Sequence, residues 1–523
     1  MKTRLIAILK RIGMLGFLLL TAYQLAVAAP TGELTIVTPY IGNEIPLPWG
    51  ERAQANDWMK LLYDPLVGTT SDTEVSTGTG LAERWEMSSD GLTWMFYLKK
   101  GIKFHDGVEV TAKDVKFTLE KDMGRDSKTH LAGSLRDTIK GMEIKDTYIL
   151  VVHCKKPSLF LPDGLLSDIG ASAGMITPKD LFERLGYDQF VKKPIGSGPY
   201  KWHSHMVGSY IKLEATDRHW RDGVPRYKYV TFRIIPEEST RVAMLKTGEA
   251  DIARISRESV KECLDAGLNV ITKRNAAIVQ FQPNFQYDSP TLSDIRFRKA
   301  LNLAIDREAI IKHIFGGMAS PTATYPGANI SGVRGVPALK PYPYDPEEAK
   351  RLIKEGRFEG AEVPIPNIPR AGCPELSQVV EAVGGYWEKI GLKPRIFNME
   401  YSAYRALRDA KKTVGQLQPT DSMTCKALSS IVEVFRENLL STMLVTLVKD
   451  PKVDQMIYTA DRSLDRAEVE KIMVDLYRYM YDNYTFVPIC DIHNEIATSK
   501  RVPKWDPGYR RADINLNDII RQR

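Results

Sequence analysis

His203 and His205 stand one residue apart, the closest pair among eight histidines. Alternate residues of a strand share a face, so one metal ion could reach both imidazoles. A closed zinc site takes about four ligands, and no further histidine or cysteine adjoins the pair, so a surface strand edge accounts for it better. His105, inside Phe104-His105-Asp106-Gly107, invites a general-base or ligand role. Asp-Gly is a tight-turn dipeptide, however, and the imidazole is expected to fix that turn. Gly196-Ser197-Gly198-Pro199 has the glycines of a phosphate-cradling loop without its Lys and following Ser/Thr. Neither an HExxH helix nor a GxGxxG turn occurs, and carboxylates are abundant without a spacing that singles out an acid/base pair. Cys154, Cys263, Cys373, Cys425 and Cys490 lack CxxC spacing, which argues against a metal or redox motif. The expectation is a protein that does no catalysis and holds no metal or cofactor.

The elements that would position these side chains alternate between strand and helix. Residues 34–38 (LTIVT), 94–98 (WMFYL) and 229–235 (YVTFRII, closed by Pro236) read as strands. Thr111 with Asp114 reads as a capping box opening a helix. Ser239 opens another, running through Leu245 to Gly248. A helix starts at Asp294 and carries an apolar stripe until Gly316-Gly317. Asp345-Pro346-Glu347-Glu348 caps a helix that ends at Gly356, and residues 376–390 form one more buried stripe ending at Gly391. This is an α/β chain. No linker rich in Pro, Gly or Ser separates its halves, so its domains are packed together or share crossing strands.

The chain has 523 residues, 43% hydrophobic and 26% charged, and a mean hydropathy of −0.26. At about 100–200 residues per domain, that is two to four domains. Residues 1–28 have a basic start, an apolar middle and Ala26-Val27-Ala28 before Ala29-Pro30. These are the parts of a cleavable secretory signal. No cysteine lies near the cleavage site for lipid attachment. The net charge of +7 includes four leader residues, Lys2, Arg4, Lys10 and Arg11. What remains is nearly balanced and forms no basic run, so nucleic acid is not an expected partner. In an oxidising compartment disulfides are expected. Cys373 with Cys425 is the favoured pair because both fall in loops of the same later region, and the odd fifth cysteine stays free or pairs outside the chain.

Several strings, in order, carry a family resemblance. They are Leu62-Tyr63-Asp64-Pro65-Leu66-Val67, Leu81-Ala82-Glu83-Arg84-Trp85 and Ser89-Asp90-Gly91-Leu92-Thr93-Trp94. Next come Phe104-His105-Asp106-Gly107, Val110-Thr111-Ala112-Lys113-Asp114-Val115 and Gly196-Ser197-Gly198-Pro199-Tyr200. Gly248-Glu249-Ala250-Asp251-Ile252 and the segment 294–310 complete the set. Together they resemble the extracellular solute-binding proteins of ABC importers, family 5, the peptide/nickel group that includes dipeptide- and oligopeptide-binding proteins. The resemblance implies a two-lobed, type II periplasmic binding protein of the large cluster, with an inserted extra subdomain and a hinge-closing cleft. Lobe I would be 29–72, 197–282 and 489–523, the inserted subdomain 73–196, and lobe II 283–488. Crossings between the lobes are expected near Gln280-Phe281-Gln282 and Pro488-Ile489-Cys490.

The implied role is capture of a peptide or peptide-sized solute by a periplasmic monomer. Closure would be followed by delivery to an ABC permease driven by a separate ATPase. In peptide-binding members a cleft aspartate of the second lobe, in a Trp-rich, Asp-Pro-containing loop, pairs with the peptide ammonium. The corresponding stretch here is 414–424, where Asp421 is the only carboxylate and the Trp and Asp-Pro are missing. Strand-end positions add Tyr40, Asn43, Asp491 and His493, and Trp49 is expected as an apolar wall. Arg370 is suited to a bidentate grip on a ligand carboxylate. The alternatives are a solvated loop arginine for Arg370, a cap or turn role for Asp421, a satisfied structural histidine for His493, and loop-stabilising contacts for Tyr40, Asn43 and Asp491. Other readings stay open: a nickel chelate, oligosaccharide, opine or haem as cargo, a periplasmic chaperone or adaptor, and a secreted hydrolase, which would need an activated nucleophile or a metal.

Overall fold

Thr111 donates its backbone N–H to Asp114 Oδ2 at 3.0 Å, and the completed capping box starts the helix Ala112–Asp122. Such local signals recur through the chain. Asp345 accepts from the Glu348 N–H ahead of helix Pro346–Glu355, and Gly248 ends helix Glu238–Thr247 in the left-handed region, the conformation glycine adopts without penalty. A computed structural model describes residues 29–51, 55–70, 75–129, 131–167, 174–325, 339–370, 373–423, 427–443, 446–508 and 514–520. The leader expected at 1–28 and Cys425, expected to pair with Cys373, lie outside the described residues.

In chain order the first strands are β1 (Glu33–Thr38), β2 (Gly68–Thr69), β3 (Val75–Ser76), β4 (Ala82–Met87), β5 (Thr93–Leu98), β6 (Ile139–Asp146) and β7 (Ile149–Cys154). They are followed by β8 (Tyr200–Met206), β9 (Tyr210–Ala215), β10 (Tyr229–Ile234), β11 (Ile252–Ile255) and β12 (Asn269–Pro283). The last are β13 (Ala319–Pro321), β14 (Glu362–Asn367), β15 (Lys393–Asn398), β16 (Leu417–Met423) and β17 (Val487–Thr498). A nine-stranded sheet runs β16-β12-β17-β11-β1-β10-β9-β8, with β13 alongside β17. β4-β5-β7-β6 make a separate four-stranded sheet, and β14 and β15 pair in parallel.

Separate cores underlie these layers. Leu34, Trp58, Tyr200, Phe232 and Ile496 pack around the β1 end of the large sheet. Phe96, Val115, Leu150 and Ile176 fill the space behind the four-stranded sheet. At the β12 end, Val279, Phe281, Val383, Trp387 and Ile489 form one core on one face. Ile278 joins Ile431, Phe435, Leu476 and Tyr477 in another.

Two expectations are corrected. The helix from Asp294 toward Gly316 is two helices, Ile295–Leu303 and Arg307–His313. Asp306 breaks it by accepting the Ala309 N–H at 2.9 Å as a new N-cap. Arg307 then turns inward, its Nε donating to the Pro488 carbonyl at 2.7 Å. His105 does more than fix its own turn. Its Nε2 lies 2.9 Å from the Gly198 carbonyl oxygen, and its Nδ1 accepts the Gly196 N–H at 3.3 Å. The imidazole therefore ties the Gly-Ser-Gly-Pro segment to the loop that follows β5, and burial holds it down at about 4, neutral at ordinary pH.

Candidate functional site

β12 and β17 run antiparallel and carry the chain from one half of the sheet to the other. Near Asn269 and Thr498 the pair lies beside β11; near Ile278 and Asp491 it lies between β16 and β13. Register shifts interrupt the pairing between Lys273 and Ala277 and again between Val279 and Gln280. Such irregularities bend and twist a strand pair locally. Alternation sends Ala277, Val279, Cys490 and Ile492 into one core. It turns Ile278, Gln280 and Asp491 to the other face.

Arg370, past the end of β14, and Asp421, on β16 opposite Val279, come together here. Arg370 Nε is 3.8 Å from Asp421 Oδ1, with both side chains largely buried. That is ion-pair separation without hydrogen-bond geometry. The guanidinium carbon also sits 3.8 Å over the Tyr401 ring centroid, a favourable cation–π arrangement. A neighbouring pair joins the two halves: Arg257, in the loop after β11, donates from Nε to Glu375 Oε1 at 3.1 Å. Glu375 precedes helix Leu376–Lys389 and also receives the Cys373 thiol at 3.7 Å.

Asp491 is fully buried, and neither carboxylate oxygen has a well-formed hydrogen bond, although the Thr322 hydroxyl offsets part of the effect of burial. Burial pushes its carboxyl up to about 7. Gln280 and Thr322, also fully buried, have amide and hydroxyl atoms without a well-formed hydrogen bond. Each such group costs about 1–3 kcal/mol if left dry. His493 is 8% exposed and lies 3.3 Å from Ser320 Oγ through Nε2. Burial, reinforced by Arg274 and Arg257, lowers it to about 4, so it is neutral at ordinary pH.

The remaining sequence candidates serve other contacts. Tyr40 is 58% exposed, and its carbonyl accepts the Thr38 hydroxyl at 3.1 Å. Asn43 is engaged within its loop: its N–H donates to Glu51 Oε2 and its amide to the Gly50 carbonyl, both at 2.9 Å. Trp49 packs edge-on against Phe117 and Phe182, beside a core that also holds Leu47 and Phe190. His205 pairs with Glu44 at 2.8 Å, while His203 is exposed beside Ser204. Among the described residues, no group of three side chains could hold a metal. Gly170-Ala171-Ser172-Ala173-Gly174 has the letters of a nucleophile elbow, a motif that needs a helix after it. Gly174 instead leads to Met175, bridged to Pro65, and residues 168–173 lie outside the described residues. Sequence reasoning missed Arg257, Glu375, Tyr401 and Thr322. Gln280 stood within the expected crossing without a role, although a glutamine between apolar residues in a buried strand is itself a signal.

Comparison with known proteins adds three findings. The model for bacterial extracellular solute-binding proteins, family 5 (middle), matches residues 77–418. The glutathione-binding protein GsiB of Salmonella paratyphi A is 29% identical over 334 residues, 64% of this chain and 61% of that protein. The chain thus spans about three fifths of the length of the curated relatives it matches. Solved structures share the fold. HbpA2 from Haemophilus parasuis superposes with a TM-score of 0.79 at 21% identity, covering 93% of this chain and 99% of that one. NikA from Brucella suis in complex with Fe(III)-EDTA gives 0.78 at 20% identity, over 94% and 100%.

Proposed function

The chain belongs to the bacterial extracellular solute-binding proteins of family 5, and from that premise we propose that it captures a peptide or peptide-sized solute for an ABC importer. The lobes would close about β12 and β17 on the solute, and the closed form would dock on a membrane permease powered by a separate ATPase. Residues 1–28 would be removed on export and the mature protein would act in the periplasm, as a monomer and without chemistry of its own. The observation that carries this reading is the strand pair joining both halves of the sheet, with Arg370 and Asp421 beside it. A solute touching both halves only when they are closed shifts the population toward closure by that difference in contact energy.

The peptide reading is supported by a relative named for glutathione, a tripeptide. Arg370, beside Asp421 and stacked on Tyr401, supplies a positive charge and an aromatic face, which suits the carboxylate end of a small zwitterion. Tyr40, Asn43 and Trp49 lie on the β1 side of the sheet, away from Arg370 and Asp421, and the proposed site is built without them. A metal chelate is the second reading, favoured by the neighbour solved with Fe(III)-EDTA.

The test is native mass spectrometry of the mature protein from its host, with the released molecule identified. A thermal-shift screen against peptide, sugar and chelate pools follows. A ligand at a hundred times its Kd stabilises the protein by about 2.7 kcal/mol. A bound peptide supports the proposal. A sugar or chelate overturns the peptide cargo, and conversion of a pool component to product overturns the binding role.

A further inference from the structure

We propose that Asp491, with Gln280 and Thr322, forms a cation-accepting subsite that takes an ammonium or guanidinium group of the captured solute. The proposal rests on the solute-binding reading and assigns the cation to a different carboxylate from the one the family resemblance suggests. Asp421 already faces the Arg370 guanidinium, so a ligand cation placed there would have to compete with a resident one. Asp491 is fully buried, and its oxygens have no well-formed hydrogen bond and no charged partner, only the Thr322 hydroxyl acting on them.

Register brings the other two groups to the same place. Asp491 stands opposite Ile278 on β12 and opposite Ser320 on β13. Gln280 lies two residues beyond Ile278, and Thr322 two beyond Ser320, so both return to the face that Asp491 occupies. Gln280 Oε1 and Nε2 and Thr322 Oγ1 are all buried and make no well-formed hydrogen bond, and the Thr322 hydroxyl acts on the Asp491 carboxylate. A carboxylate, an amide and a hydroxyl together accept several N–H donors around one positive centre, which a protonated amine or guanidinium supplies. One such ligand would satisfy the acceptors of an arrangement that is otherwise costly and leave the Gln280 Nε2 donor for an oxygen of the solute.

The site is linked to protons. With the carboxyl raised to about 7, the empty site near neutral pH is partly protonated, and a cation that holds Asp491 ionised releases that proton. Affinity therefore falls as pH falls, by about tenfold per unit below 7. Few charged groups stand close by. Cys490 and His493 flank Asp491 on its own strand, and His493, at about 4, stays neutral through this range. β13 brings no titratable side chain, and β12 brings Ile278 and Gln280 to that face. Arg257 and Arg274 act on His493, and Arg257 and Glu375 on Cys490.

The test uses the mature full chain and a pool of tripeptides built from Gly, Ala and Ser, with free and with acetylated N-termini, read by thermal shift and calorimetry from pH 5 to 8. The free pool is expected to bind with proton release, and the acetylated pool far more weakly. Asp491→Asn should weaken the free pool by about 30-fold or more and remove the pH dependence. That variant should also melt higher than the native protein when empty at pH 8, because a buried ionised carboxyl is gone; this checks that it folds. Equal binding of both pools overturns the proposal, as does unchanged binding by Asp491→Asn or loss of the amine preference in Asp421→Asn alone. If neither pool binds, the peptide reading fails, and spermidine and agmatine decide the subsite separately. A shift that disappears in Asp491→Asn supports it, and no shift overturns it.

Discussion

Replacing Glu375 with Gln tests whether Arg257 and Glu375 hold the two halves of the molecule together. The pair joins the loop after β11 to the start of helix Leu376–Lys389, with side chains only 11% and 16% exposed. At about 3 Å and an effective dielectric near 20, the attraction is roughly 5 kcal/mol. Desolvation of both ions offsets most of it, leaving a net of about 1–2 kcal/mol in favour of the arrangement in which the two side chains meet. When the halves separate, both ions return to water and the term vanishes. Glu375→Gln should therefore move the open–closed equilibrium of the empty protein about 5- to 30-fold toward open. Small-angle scattering and a fluorescence pair across the crossing strands would read this as a larger radius and lower transfer efficiency. Apparent ligand affinity weakens as the closed fraction falls. The double-mutant cycle with Arg257→Ala and Glu375→Ala isolates the pair. A coupling within about 0.3 kcal/mol of zero, with an unchanged radius, would refute the reasoning.

Trp387 is fully buried, packs edge-on against Phe281 and donates to the Leu301 carbonyl at 3.0 Å. Trp387→Ala should cost about 3–5 kcal/mol in urea unfolding. His105 and His493 both sit at about 4 in the folded chain, against about 6.5 unfolded. The unfolded chain thus takes up protons first as pH falls below 6.5, and stability falls by about 3 kcal/mol per group on the way to 4. No such loss occurs above 6.5. His105→Gln should remove close to half of that acid slope in melting curves, whatever it does to stability at pH 8. At Gly198 a Cβ would run into the Leu61 and Leu62 backbone, so Gly198→Ala should lower the melting temperature by several degrees or abolish soluble expression.

Local grammar was readable and long-range pairing was not. β1 and β5 fall where short β-rich runs end at turn residues, and Thr111 with Asp114 opened the expected helix because capping acts within four residues. The helix after Asp294 deceived because its apolar stripe continues past a break that only Asp306 and the inward Arg307 create. His105 was assigned to its own turn, since nothing in the neighbouring residues points to a loop ninety positions later. Arg370 and Asp421 were each recognisable as charged loop residues, but their approach depends on the packing of β14 against β16. Asp491 looked like one strand-end carboxylate among many. Its distinction, burial without a charged partner, belongs to the folded state.

The place of β17 in the large sheet bears on how the chain is made. That strand is built from residues 487–498, yet it lies between β12 and β11, with most of the chain already synthesised on either side. Until it arrives, the two parts of the sheet have nothing between them, and β11 and β12 each present an unsatisfied edge. Contacts that join distant parts of a sequence form late and slowly. A growing chain would thus remain open to chaperones until its last segment emerges, and a product ending before residue 487 would keep two sticky strand edges and be prone to aggregate.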